Sequence, residues 1–117
     1  MRKDSVLATN NCLHSMGYSI FWTRRASEDI ASIFRFYSTI AGERVARHRL
    51  LRIKQDLLCL TTMPHIGHLD KDYPHTPSYR YLVVLDYRIY YFIEEQTVYI
   101  AAIWDCRQGS PVFEVNN

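Results

Sequence analysis

Three arginines stand where one sheet could gather them: Arg80, Arg88 and Arg107. All lie in the stretch Tyr79 to Pro111, which carries three β-like runs separated by short polar breaks. Arg80 opens the first run, Arg88 starts the second and Arg107 directly follows the third. Breaks this short force neighbouring strands to pair antiparallel. The start of the second strand then lies beside the end of the third, so Arg88 and Arg107 can share one sheet end, whereas Arg80 need not. A guanidinium offers a rigid fork of donors that matches a phosphate or a carboxylate. Two of them at one end could hold a phosphate, or the carboxylates of a partner. In the competing reading each pairs with a local acid such as Asp86 or Asp105. The residues alone leave both open.

Other chemistry has weaker support. His65, His68 and His75 sit near Asp70 and Asp72, with Cys59 upstream, and these are metal-ligand types. Their spacing matches no rigid template, and the Pro-rich flanks do not present ligands on one helix face. No metal is expected. There is no Gly-x-Ser-x-Gly turn, and no cysteine lies in a recognisable catalytic context. The four glycines form no phosphate-cradling loop, so no cofactor is expected.

The elements that must position the arginines follow from size and pattern. The 117 residues suffice for one small domain with one core. A composition of 48% hydrophobic and 22% charged residues suits a globular domain. The net charge of +2 is too small to argue nucleic-acid binding from bulk charge. The three cysteines, Cys12, Cys59 and Cys106, are odd in number and widely spaced, which fits a reduced, cytoplasmic setting. No run is long and apolar enough to span a membrane, and Val6-Leu7-Ala8 is too short for a signal-peptide core. No membrane partner is expected.

Residues 1–17 show no clear period and read as an extension, poorly ordered and dispensable for the fold. Tyr18 to Thr23 is aromatic and β-branched, a first strand. Thr23 caps a helix whose Ala26, Ile30, Ile33, Phe34 and Tyr37 share one face. Glu28 and Asp29 fall in its early turns, and Gly42 breaks it. Glu43 to about Thr62 is a second helix, with a stripe of Ala46, Leu50, Ile53, Leu57 and Leu60. Its basic run, including Arg44, Arg47 and Arg52, reads as a solvated face. Met63 to Ser78, with three prolines, is a loop. Tyr79–Leu85, Tyr87–Ile93 and Thr97–Trp104 form the meander. The tail 112–117 reads as a loose end. The fold class is therefore α+β, in the order β-α-α-β-β-β: an N-terminal strand, an αα-hairpin, then a three-stranded antiparallel meander. One sheet carries the helices on one face and leaves the other to a groove or partner.

This order, Pro-x-x-Gly at Pro64 to Gly67, Tyr-Arg-x-Leu-Val-Val at Tyr79 to Val84, Asp-Tyr-Arg-Ile-Tyr-Tyr at Asp86 to Tyr91 and Ile-Trp-Asp-Cys-Arg-Gln at Ile103 to Gln108 together resemble the RelE/ParE toxin superfamily. The early Phe-Trp-Thr-Arg-Arg-Ala-Ser-Glu-Asp-Ile fits its first strand and helix start. The resemblance covers about Tyr18 to Pro111, which implies a toxin domain over 18–111. No motif is specific alone; their order and spacing are.

The resemblance implies the toxin of a bacterial type II toxin–antitoxin pair, bound by a cognate antitoxin. RelE-like members cut messenger RNA on the ribosome, and ParE-like members inhibit DNA gyrase by binding it. In RelE-like nucleases two arginines serve the phosphate, and Arg88 and Arg107 match those positions. Arg80 matches a basic residue of the preceding strand, while a second such residue is replaced by Leu82. The C-terminal tyrosine of RelE is matched, by spacing only, by Phe113, which cannot exchange a proton. Arginine stays charged and is a poor base. The acid/base half of a ribonuclease site is thus not evident, although Tyr87, Tyr90 and Tyr91 are near. The resemblance implies a ParE-like toxin acting on a target such as gyrase. The alternatives are a ribosome-dependent endonuclease and a member that has lost toxicity and only binds a partner.

Overall fold

A computed structural model describes residues 17–72, 74 and 76–108. The expected extension falls almost wholly, and the expected tail 112–117 entirely, outside the described residues, as do Cys12, His75 and Phe113. Strand β1 spans Ser19–Trp22, helix α1 Arg24–Ala41 and helix α2 Glu43–Leu57, followed by a 3-10 turn at Leu58–Thr61. Strands β2 (His68–Leu69), β3 (Arg80–Val84), β4 (Tyr87–Glu94) and β5 (Thr97–Asp105) follow, and a 3-10 turn covers Cys106–Gln108.

The strands form one mixed sheet in the order β1-β5-β4-β3-β2. The meander β3-β4-β5 is antiparallel, as its short breaks require. β1 pairs parallel to β5, from Ser19↔Thr97 to Trp22↔Ile100. The two-residue strand β2 adds an edge inside the stretch expected to be loop.

The helices start and stop for local reasons. Thr23 Oγ1 accepts from the Ala26 N–H at 3.2 Å and caps α1. The same hydroxyl donates to the Ile100 carbonyl at 2.7 Å, which ties the helix start to β5. Asp29 serves β5 instead of the first turn of α1: its Oδ2 accepts from the Ile103 N–H at 2.9 Å. That contact supplies an edge amide left without a strand partner once β1 has ended at Trp22. Gly42 joins the helices at φ 96°, a conformation that costs glycine nothing.

The core lies between the hairpin and one sheet face. Ala26 and Tyr37 from α1, and Ala46, Ile53 and Leu57 from α2, pack on Val84, Tyr87, Ile89, Tyr91, Val98, Ile100 and Ile103. Leu60 closes it from the 3-10 turn, beyond the end of α2. The sheet keeps this face apolar through a bulge. Tyr90 pairs with Ala102 but Tyr91 with Ile100, so Ala101 is the extra residue. Ile100 and Ile103 therefore both reach the helical side, which strict alternation would forbid.

The opposite face carries a chain of rings. Phe21 meets Tyr99, Tyr99 stacks on Phe92, Phe92 meets Tyr79, and Tyr79 leads through Tyr90 and Tyr81 to His68. Centroid separations run from 5.0 to 6.5 Å, within the range where such pairs attract. Much of the tyrosine excess is thus a second packing layer.

Candidate functional site

Each of the three arginines takes a different role. Arg80, on β3, donates through Nη1 to the carbonyls of His65 and Gly67, both at 3.1 Å. It clamps the Pro64–Gly67 loop against the sheet. Arg88, on β4, lies on the ring-bearing face with its guanidinium 4.4 Å from the Tyr81 centroid. Its Nη1 donates to the Tyr90 hydroxyl at 3.2 Å.

Arg107 lies at the same end of the sheet but turns to the helical face. Its Nε and Nη2 donate to the two carboxylate oxygens of Asp105 at 2.9 and 2.8 Å. Its Nη2 also donates to the Tyr37 hydroxyl at 3.2 Å. The strand register explains the split. Arg88 pairs with Trp104 and Tyr87 with Asp105, so consecutive β4 residues project to opposite sides. Sequence spacing brings Arg88 and Arg107 to one end; the pleat sends them to different faces.

The helical side of this end holds a second, unexpected cluster. Arg49 from α2 lies over the Tyr37 ring, 4.3 Å from its centroid. Asp86, in the β3–β4 turn, has its Oδ2 4.0 Å from Nη2 of Arg49 and 4.0 Å from Nη1 of Arg107. The Asp86 carbonyl accepts from the Cys106 N–H at 2.8 Å and fastens the turn to the end of β5. The neighbouring Tyr87 phenol, with Arg107 and Arg49, lowers the Tyr37 pKa below its ordinary 10.0. Burial, with the Tyr37 phenol beside it, pushes Tyr87 the other way. Two phenols with opposed shifts beside two guanidiniums can bind an anion and hold or pass a proton. Neither Tyr37 nor Arg49 was singled out from sequence. Tyr37 falls on the apolar stripe of α1, 70 residues from Arg107 along the chain, and only its phenol oxygen hinted at more.

The fork from Arg107 holds the Asp105 carboxyl below its ordinary value of 3.8. A lowered folded value contributes stability that is present above the unfolded value and lost as pH falls through the folded one. Wild type is therefore expected to lose its advantage over Asp105→Asn as pH drops below about 4. Thermal unfolding of both chains across that range measures it. A gap that stays constant would show that the fork contributes nothing. Asp29, raised mainly by burial, shifts stability in the opposite sense and is common to both chains.

Among its described residues the histidine loop gathers no ligand set. His68 tilts against Tyr81 at 5.3 Å, and among the described residues no group of three His, Cys, Asp or Glu converges. Beside β5 an open cleft of about 410 Å³ runs along α1, lined by Arg25, Asp29, Phe36, Tyr87 and Trp104 among others.

The family model for the ParE toxin of type II toxin–antitoxin systems, parDE, matches residues 20–109. The chain belongs to the ParE toxin family. It is thereby placed among type II toxins and within the RelE/ParE superfamily. A solved structure described as the chromosomal ParDE TA system from P. aeruginosa aligns with a TM-score of 0.66 at 20% identity, covering 75% of this chain and 95% of that one. At that identity the likeness is one of fold. No curated protein matches. Among the described residues of this ParE-family chain, no helix is long and apolar enough to cross a membrane.

Proposed function

We propose that this ParE-family chain arrests growth by binding a protein target such as DNA gyrase, and that a cognate antitoxin encoded with it neutralises it. The placement of the two phosphate-type arginines carries this reading. Cleavage of RNA by its own 2′-hydroxyl needs cations and a proton carrier converging on one phosphate. Here Arg88 is engaged with Tyr81 and Tyr90 on one face, and Arg107 with Asp105 on the other. A surface that binds a protein needs no such convergence. The structural neighbour described as a ParDE TA system supports an antitoxin partner for this chain.

One observation favours the second reading, a ribosome-dependent mRNA endonuclease: the Tyr37 hydroxyl stands 3.2 Å from Arg107 and could act as the missing proton carrier. The deciding experiment adds the purified chain to gyrase and, separately, to a translating ribosome system. Inhibited supercoiling with intact message is the expected result. Normal supercoiling at saturating toxin, with codon-positioned cuts that disappear in Arg107→Ala, would overturn it in favour of the nuclease.

A further inference from the structure

Arg49 and Arg107 reach one point from different elements. Both aim at Oδ2 of Asp86, and both stop at 4.0 Å. Neither contact is a hydrogen bond at that distance. Asp86 belongs to a two-residue turn, and 47% of its side chain is exposed, so it can swing into solvent. The guanidiniums, in contrast, are held. Arg49 is pinned on the Tyr37 ring, and Arg107 by its fork to Asp105.

Donor capacity is left over on the same side chains. Arg49 Nη1 is buried with no hydrogen-bond partner among the described residues. The Tyr37 oxygen accepts from Arg107, which leaves its own proton for an acceptor. With Asp86 swung away, two guanidiniums face one remaining acid, Asp105, so the cluster carries one net positive charge. Donors fixed before a ligand arrives lose little freedom on binding it.

We propose that Arg49, Arg107 and the Tyr37 hydroxyl form a binding site for a single oxyanion, with Asp86 as a loosely held internal stand-in. A carboxylate and a phosphate share the required chemistry, and the site takes either through the same donors. The inference does not depend on whether gyrase or message is the target, because binding is read on the isolated chain.

The test follows the Arg Nε–Hε resonances of the full chain by NMR during titration with inorganic phosphate and, separately, with glutamate at constant ionic strength. Saturable shifts at Arg49 and Arg107 are expected with at least one of them, and the anion that saturates identifies the ligand class. Asp86→Asn removes the competitor, so its midpoint should fall about threefold or more. Arg49→Gln should lose saturation. Shifts that stay linear with both anions, or that saturate equally in Arg49→Gln, overturn the site. An unchanged midpoint in Asp86→Asn overturns the stand-in role. Should Arg49→Gln fail to fold, wild type against Asp86→Asn still decides.

Discussion

Replacing Gly67 with alanine is expected to destabilise the fold by about 2–5 kcal/mol, the sum of overpacking and a broken buried hydrogen bond. A methyl at this position would lie 2.5 Å from the Tyr91 hydroxyl, 2.8 Å from its Cε1 and 2.9 Å from the Tyr81 carbonyl oxygen. Neither neighbour can give way easily. The Tyr91 side chain is fully buried, and the Tyr81 oxygen is backbone within β3. Any shift also strains two bonds that fix the loop. The Gly67 N–H donates to the Tyr91 hydroxyl at 2.9 Å, and that hydroxyl donates to the Pro64 carbonyl at 2.8 Å. The physical content of Pro-x-x-Gly is therefore a buried phenol read by the backbone of both its ends. Urea denaturation measures the loss, and the melting temperature should fall on the order of 10 °C or more. A double-mutant cycle sharpens the test. In a Tyr91→Phe background the nearest atom is gone, so Gly67→Ala should cost less than it does in wild type. A Gly67→Ala chain within about 1 kcal/mol of wild type would show that the loop yields freely.

Ile53→Ala is expected to cost about 2–5 kcal/mol, by lost transfer energy and the cavity left behind. Ile53 is fully buried on α2, in the cluster that joins the hairpin to the sheet. Its neighbours come from both layers, so the site cannot close by moving one element alone. Leu51 supplies the contrast. It is two residues away on the same helix and 55% exposed, and Leu51→Ala should stay within about 0.5 kcal/mol of wild type. Equal losses at the two positions, read by the same denaturation midpoint, would contradict this placement of the core. Because α2 also carries Arg49 to the Tyr37 ring, Ile53→Ala should loosen the charged cluster as well.

Much of this was legible from local pattern. Apolar residues at helical spacing picked out the stripes of both helices, because only one face of each can be buried. Thr23 and Gly42 marked helix ends through chemistry that acts within one turn. The three strands of the meander followed from alternation and from breaks too short for any crossover. The second helix ends at Leu57, short of the Thr62 that its apolar stripe implies. Leu60 continues its stripe, but the chain tightens into a 3-10 turn after Leu57, and a 3-10 turn can still point Leu60 inward. β2 was missed because two residues carry no period. The hairpin turns place Leu85 at φ 57° and Glu95 at φ 56°, where glycine or asparagine would have signalled the geometry.

The candidate site divides in the same way. Sequence by itself determined the family pattern, the elements and the end of the sheet at which Arg88 and Arg107 stand, because strand direction and turn length are local properties. It also marked Asp86 and Asp105 as acids within reach of these arginines. Tertiary structure decided the rest. The pleat and the bulge at Ala101 assigned faces, and so separated Arg88 among the rings from Arg107 beneath the helices. The packing of the hairpin brought Tyr37 and Arg49 to Arg107 and Asp86. β1 was paired with β5, although the Thr23 cap and its acceptor at Ile100 are 77 positions apart in the chain. The reason is physical: contacts between distant segments depend on how whole layers dock, and no spacing within one segment encodes that docking.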